Sequence, residues 1–437
     1  MAVHVVHEAR RCLHCKKPQC RKGCPINTNI PEAIELFRTG HKEKAGRMLF
    51  ANNPLSVICS LVCDHEKQCE GHCILNRKGM PIHISSIENY ISDAYLDHIE
   101  FQMEPKKGQR VGIIGSGPAG ITISVILAQK GYDVTLFESR DKIGGVLRYG
   151  IPEFRLPKTI IDRYKAQLLK LGIKIRPNTV IGRAITIDDM QRDGYKAIFI
   201  GTGVWKPKKL SIKGESLGHV HFAINYLMSP EAYALGDDVV VIGAGNSAMD
   251  VARTALRKGS RRVSIFCRGN KCAASVRELE YAEADGVDFL YGMHTTEITD
   301  DGVIYRKATF DDDGNVIALS ENQLFPASSV VIAISQEAQR RIVNSTTGIE
   351  MNSRGLLATD ERGETTRRGI FASGDVVSGA KTVVEAVRYS KEAAEQMDAY
   401  LTQLREEEAQ AASAAGQAQA APAGPAPESA ADAPEKA

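Results

Sequence analysis

A strand, a glycine turn, a helix and a second strand occur twice in this chain, and that repeated unit restricts the fold more than any other feature. The first copy runs from Arg110 to Glu138 as RVGIIGSGPAGITISVILAQKGYDVTLFE, and the second from Asp238 to Arg268 as DVVVIGAGNSAMDVARTALRKGSRRVSIFCR. In the first, Gly115-x-Gly117-Pro118-Ala119-Gly120 follows an apolar run and opens a helical pattern, the context that a dinucleotide fingerprint requires. Gly115 permits the tight turn, Gly117 lets the backbone approach a pyrophosphate, and Gly120 lets helix and strand pack closely. The helix start adds unpaired N–H groups and the positive end of its dipole. Glu138 closes the second strand, placed to accept hydrogen bonds from an adenosine ribose.

The second copy reads Gly243-x-Gly245-Asn246-Ser247-Ala248, with Ala replacing the third glycine. Its second strand puts Cys267 where the first copy has Glu138, and Arg268 follows. Loss of the acid and gain of arginine favour a 2′-phosphate, hence NADPH over NADH, and Arg277 adds a second cation. Either arginine alone also reads as part of a solvated face. Two such units imply two dinucleotides, a fixed flavin and a diffusing nicotinamide cofactor, with hydride passing between them.

Of ten cysteines, eight lie between Cys12 and Cys73. The spacing is Cys12-x2-Cys15-x4-Cys20-x3-Cys24-Pro25, then Cys59-x3-Cys63-x5-Cys69-x3-Cys73. A C-x2-C start and a Cys-Pro finish resemble bacterial ferredoxin runs, though the middle gap is longer. Zinc is the rival reading, since Cys₄ zinc sites also use short spacings. Beside two dinucleotide units iron–sulfur weighs more, because a flavin can release electrons singly and clusters carry them singly. Basic residues flank the first run (Arg10, Arg11, Lys16, Lys17, Arg21, Lys22); they read equally as a docking face for an acidic partner and as a solvated surface. Cys267 and Cys272 form no C-x-x-C and read as structural.

No apolar run approaches the roughly 18 residues of a membrane span, and Met1 to Arg11 lacks the apolar core of a signal peptide. A cytoplasmic protein with reduced thiols is expected. The net charge of +2, with dispersed Lys and Arg, argues for neither a nucleic-acid nor a membrane partner. The expected fold is α/β: a helical cysteine domain over 1–105, then two Rossmann-like domains, the second inserted in the first. The first part of the flavin domain spans 106–228, the nicotinamide domain 229–338, the second flavin part 339–404, and a disordered Ala-, Gln- and Pro-rich tail 405–437. Within these, Tyr195 to Gly203 and Arg368 to Asp375 read as buried strands running into glycine turns. A helix follows the second, and another is expected over Ile30 to Arg38, with Asn29 as cap and Pro31 at the first helical position.

With these motifs in this order, the chain resembles the small (beta) subunit of bacterial glutamate synthase and the related modules of dihydropyrimidine dehydrogenase and of electron-bifurcating transhydrogenases. The resemblance covers about residues 1 to 400, and its most specific segment is GGVLRYGIPEFRLPK, Gly144 to Lys158. It implies two [4Fe–4S] clusters with interleaved ligands: Cys12, Cys15, Cys20 and Cys73 for one, and Cys24, Cys63, Cys69 and Glu88 for the other. Cys59 matches a cysteine that is not a usual ligand. FAD would occupy the first unit, with Glu138 on the ribose, Gly374 and Asp375 near the ribityl chain and pyrophosphate, the backbone near Val383 against the flavin ring, and Gly144, Gly145, Arg148 and Gly203 around it.

Two departures bear on the nicotinamide side. The family's arginine pair appears as Arg268-Gly269, and its AIGQxP-like segment reads Ala333-Ile334-Ser335-Gln336-Glu337-Ala338. The function implied is electron input: NAD(P)H reduces FAD, and clusters relay electrons to a separate catalytic subunit or to ferredoxin. A bifurcating transhydrogenase subunit is the second expectation, and a zinc-containing nucleotide-binding scaffold the third. The chain has no room for a glutaminase domain or an FMN barrel.

Overall fold

The computed structural model describes residues 4–419. Its first hundred residues are helical: Val5–Arg10, Gln19–Gly23, Ile30–Arg38, Lys42–Asn52, Ser56–Val62 and Ile84–Leu96. Pro31 is the second residue of Ile30–Arg38, one place later than expected, and Asn29 holds the N-cap position without a side-chain cap bond. Short helices separated by cysteine-bearing turns cannot each bury a wide apolar face. They gather around Ile34, Leu49, Ile87 and Ile91, with Cys69 inside that core and Cys12, Cys20, Cys24 and Cys73 packed against it.

Two parallel five-stranded sheets follow. The first has the order Ile370–Ala372, Tyr195–Ile200, Arg110–Ile114, Asp133–Phe137, Lys174–Arg176. Its edge strand Ile370–Ala372 arrives only after the whole second sheet has been built, so the second domain is an insertion in the first. The second sheet has the order Val220–Phe222, Ser329–Ile332, Asp238–Ile242, Arg262–Cys267, Asp288–Tyr291. A four-stranded antiparallel sheet over residues 293–326 packs beside it. Near-continuous apolar strands such as Val111 to Ile114 and Val239 to Ile242 are what a sheet covered on both faces demands. The helical cysteine domain ahead of two Rossmann-like domains is the expected fold class.

Chain crosses between the two Rossmann-like domains through a short antiparallel ribbon, Lys206–Pro207 against Gln336–Glu337. The final helix, Val383–Gln419, departs from expectation by running on through 405–419. Ala, Gln and Glu are good helix formers, and extending an existing helix needs no new nucleus. Residues 420–437 of the expected tail lie outside the described residues. Among the described residues no helix is long and apolar enough to cross a membrane.

Candidate redox site

At the end of the first sheet, three glycines meet three different constraints. Gly115 has φ +98°, and a Cβ there would fall 2.6 Å from the Gly201 carbonyl oxygen. A Cβ on Gly120 would fall 1.8 Å from the Gly115 carbonyl oxygen, so no larger residue lets this helix seat on its strand. At Gly117 the nearest atom is the Gly145 Cα at 3.9 Å, so its backbone faces open space. That space is a cavity of about 1680 Å³, mouth included, lined by Gly115, Gly117, Pro118, Ala119, Glu138, Gly145, Gly203, Gly374, Asp375 and Val383. Gly117 caps the helix Pro118–Gln129, whose first turn points into the cavity.

Glu138 is buried and fully engaged. Its carboxylate accepts from the Ser116 N–H at 3.0 Å, the Ser116 hydroxyl, the Ser139 hydroxyl at 3.0 Å and the Arg140 N–H at 2.9 Å. In this arrangement it holds the glycine loop. Asp375 accepts from the Lys381 N–H at 3.2 Å, and burial pushes its carboxyl up to about 6.

Besides Gly120, which packs helix against strand, two expected residues stand outside the cavity wall. Arg148 turns away, donating to the Ile143 carbonyl at 2.9 Å and pairing with Asp162, so it braces the loop from behind. Gly144 donates its N–H to the Ser116 carbonyl at 3.0 Å, which stitches the two glycine loops together. Missed from sequence were Arg140 and Trp205, which line the cavity with the guanidinium 4.3 Å from the indole ring centre. Arg140 lies two residues beyond Glu138, and Trp205, the only tryptophan, two beyond Gly203; both positions offered the signal.

The second glycine turn repeats the logic. A Cβ on Gly243 (φ +132°) would fall 2.3 Å from the Ala333 carbonyl oxygen, whereas one on Gly245 would meet nothing within 4 Å. Ala248, in the first turn of the helix Asn246–Arg257, is fully buried. Ser247 reaches the first cavity, so the two turns face a common space. Asn246 accepts from the Ser275 N–H at 2.9 Å and orders the following loop. Arg268 is exposed at the end of its strand. Arg277 lines a different cavity, whose far wall is Asp64, His65 and Glu66 of the cysteine domain, and it donates to the Tyr281 hydroxyl at 3.0 Å. The two arginines therefore do not share one wall.

The cysteines divide between two spaces. Cys12, Cys15, Cys20 and Cys73 line one of about 390 Å³, and Cys24, Cys59, Cys63, Cys69 and Glu88 line another of about 330 Å³, mouths included. Among the described residues no three His, Cys, Asp or Glu side chains are placed to hold a single metal ion. Burial pushes the thiols of Cys12, Cys24 and Cys69 up and that of Cys20 up to about 11; Cys63 is raised chiefly by its hydrogen bond with Cys59. Burial also pushes the Glu88 carboxyl up to about 7, against the single bond it accepts from the Ser56 hydroxyl at 2.7 Å. Soft, desolvated donors with so few protein partners fit a bound cationic centre, which would draw their protons off.

Residues 110–390 match the pyridine nucleotide-disulphide oxidoreductase family, with a second partial match over 76–192. Residues 2–99 match dihydropyrimidine dehydrogenase domain II, 4Fe-4S cluster. The chain belongs to the pyridine nucleotide-disulphide oxidoreductase family. The chain's relatives at about 30% identity over about 90% of its length include both glutamate synthase small chains and dihydropyrimidine dehydrogenase subunits. It is 32% identical over 430 residues to the NADPH glutamate synthase small chain of Azospirillum brasilense, covering 90% of this chain and 88% of that one. It is 31% identical over 405 residues to the NAD-dependent dihydropyrimidine dehydrogenase subunit PreT of Salmonella typhimurium, covering 91% and 94%. By fold it is similar to FprA from Mycobacterium tuberculosis, solved with NADPH, at TM-score 0.57 and 18% identity, covering 70% of this chain and 86% of that one. Thioredoxin reductase from T. acidophilum follows at TM-score 0.52 and 22% identity, covering 67% and 98%.

In this family member, an oxidoreductase for FAD, NAD(P)H and a 4Fe–4S cluster, the three cavities are neighbours. Val383 lines the glycine-turn cavity, and Val384, the next residue, lines the space of Cys24, Cys63 and Cys69. Ile30 lines both cysteine spaces. One helix start and one side chain thus separate the three compartments. Lys391, on that same helix, donates to the Asn52 carbonyl and side-chain oxygens, both at 2.8 Å, and ties it to the cysteine domain.

Proposed function

We propose that this chain takes hydride from NADPH at its second glycine turn, passes it to FAD at the first, and relays single electrons through two [4Fe–4S] clusters to a separate catalytic chain of the glutamate synthase large-chain type. The shared walls at Val383–Val384 and at Ile30 are the observation that carries this reading. A relay needs its compartments close and fixed, and here they are in series. Bound FAD supplies the conversion between a two-electron and a one-electron currency.

The residues of the chain bind and position. Gly115, Gly117, Pro118 and Ala119 offer backbone N–H groups and a helix start to a pyrophosphate. Glu138 keeps that loop in shape, with Gly144 and Arg148 behind it. Gly145, Gly203, Gly374 and Asp375 close the cavity, and the helix starting at Val383 directs its N–H groups at the flavin ring. Gly243, Gly245, Asn246, Ser247 and Ala248 would form the corresponding cradle for NADPH, and Arg268 would supply a cation for its 2′-phosphate, with Arg277 a more remote one. Cys12, Cys15, Cys20 and Cys73 would hold the outer cluster, and Cys24, Cys63, Cys69 and Glu88 the inner one. Around the outer space Leu13, Ile74 and Met80 are exposed among Lys16, Lys17, Lys22, Arg77 and Lys78, a face suited to an acidic partner.

Anaerobic titration of the purified chain with NADPH, and separately NADH, tests the reading. Flavin bleaching together with loss of broad iron–sulfur absorbance, in a protein with about eight irons, is the expected result. Flavin bleaching over clusters that stay oxidised would sink the relay, and a count near four would remove one of the two clusters.

A further inference from the structure

The loop after the strand Arg262–Cys267 contains a pair of thiols that the relay does not use. Cys267 is fully buried and Cys272 half-buried, and their sulfurs lie 2.9 Å apart across Arg268-Gly269-Asn270-Lys271. Loop and nucleotide cradle are joined: the N–H groups of Ala273 and Ala274 both donate to the Ala244 carbonyl at 2.9 Å, and Ala244 lies between Gly243 and Gly245. The Gly292 N–H donates to the Gly269 carbonyl at 3.1 Å and holds the other side. Arg268 and Lys271, both exposed, are the cations this loop presents.

We propose that Cys267 and Cys272 are a reversible modification site, a dithiol that small-molecule disulfides oxidise to an intramolecular disulfide, and that closing it lowers the affinity of the second glycine turn for NADPH. The gating half rests on the proposed NADPH role of that turn. The site is built for ordered exchange. Cys272 is the reachable thiol, drawn down to about 7 by its contact with Cys267 and by the Tyr291 hydroxyl, while that same contact and burial raise Cys267. The Cys272 thiolate attacks the small disulfide, forming a mixed disulfide and releasing one thiolate. Cys267 then gives up its proton, attacks the Cys272 sulfur and releases the second thiolate. Two protein thiols become one disulfide, and the small disulfide becomes two thiols.

Joining the sulfurs shortens their separation to about 2.05 Å. The loop ends close by that difference, Arg268 and Lys271 lose their freedom to settle on a 2′-phosphate, and the pull is passed to Ala244.

The test uses the full chain with flavin and clusters, under argon, treated with oxidised glutathione. NADPH reduction of the flavin is recorded before treatment, which reads the nucleotide assignment independently of the thiols. Mass mapping is expected to find Cys267 joined to Cys272, with KM for NADPH at least threefold higher and KM for NADH unchanged. Dithiothreitol should restore the starting value. Cys272→Ser and Cys272→Ala should both lack the disulfide and the shift. A chain whose two thiols remain alkylatable, or that stops at a glutathione adduct on Cys272, overturns the modification site. A disulfide that leaves both KM values unchanged overturns the gating.

Discussion

The cysteine domain and the nicotinamide-side domain each pack against the flavin-side domain, and they do so by opposite means. Between the cysteine and flavin-side domains there is one continuous apolar core: Ile26, Phe50, Leu55 and Ile58 pack into the cluster that holds Ile113, Leu136, Tyr164 and Met397. The nicotinamide-side domain keeps its own core around Tyr226, Val241, Met249 and Ile265. It meets the flavin-side domain through charge. Arg155 pairs with Asp250 at 2.7 Å and Glu278 at 2.9 Å, and the two-stranded ribbon carries the chain across. Apolar burial is non-directional and resists separation everywhere along a seam, whereas a buried ion pair is strong only in one geometry. The first seam thus suits a path that must keep its length. The second suits a domain that must admit and release a diffusing cofactor.

Removing Arg155 is the strongest way to break that contrast. Arg155→Ala leaves Asp250 without its paired cation, while Glu278 keeps Arg253 at 3.2 Å; losing one partner of a buried pair costs about 3–5 kcal/mol. If the polar seam sets the docked arrangement, the cost appears as opening. Stopped-flow reduction of the flavin by NADPH should slow by 100-fold or more, with the melting temperature nearly unchanged. A large drop in melting temperature with normal flavin reduction would show that the charges hold the fold instead of the docking.

Leu55→Ala is the matching cut on the apolar side. Leu55 is fully buried, and such truncations cost about 3–5 kcal/mol, the cavity included. Here the expectation reverses: a melting transition lowered by several degrees, earlier loss of iron–sulfur absorbance on heating, and flavin reduction by NADPH close to normal. Equal damage to both steps would mean that the two seams are not separable.

What sequence could and could not carry follows the same division. The glycine turns were legible because their requirement is local: a positive φ at Gly115, a close backbone approach at Gly120 and an open face at Gly117 are recorded residue by residue. The grouping of the cysteines came from resemblance, since spacing alone also allows zinc. The seams were not legible. Arg155 and Asp250 are 95 positions apart, and nothing in IPEFRLP marks its arginine as the partner of a later helix. Arg148 shows the converse: a motif located the loop, but not which way its side chain turns. Cys267 and Cys272 read as structural because C-x-x-C spacing does not capture two thiols brought together by a longer turn. Residues 405–419 lack an apolar face yet continue a helix already formed.

Acidity offers a finer test of the polar seam. Burial outweighs Arg155 and pushes the Asp250 carboxyl up to about 6, above the value near 3.9 of an unfolded chain. From about pH 6 to pH 4 the folded state takes up a proton that the unfolded state does not, so this group makes the fold more stable as pH falls. The same proton removes the charge that Arg155 pairs with. Flavin reduction by NADPH is therefore expected to slow, by up to about tenfold, as pH drops through 6, without a fall in melting temperature from this group. Asp250→Asn should show the slow rate on both sides of that pH. A profile that the substitution leaves intact would remove Asp250 from the seam's control.

The smallest effect is expected in the ribbon itself. Ser335 stands where the resembling family carries glycine, and its φ is +91°, a conformation that costs a residue with a Cβ about 1–2 kcal/mol. Glycine removes that strain and loses about 0.5–1 kcal/mol to its freer unfolded chain. Ser335→Gly should therefore raise stability by about 0.5–1 kcal/mol, seen as a small rise in the nicotinamide-side melting transition. Ser335 precedes Gln336, which pairs with Pro207 across the ribbon and lines the flavin-side cavity. If relaxing this residue also speeds flavin reduction, the strain is holding the ribbon away from its best docking angle. If stability rises and the rate does not move, the serine is a local departure that leaves the geometry of the seam to Arg155.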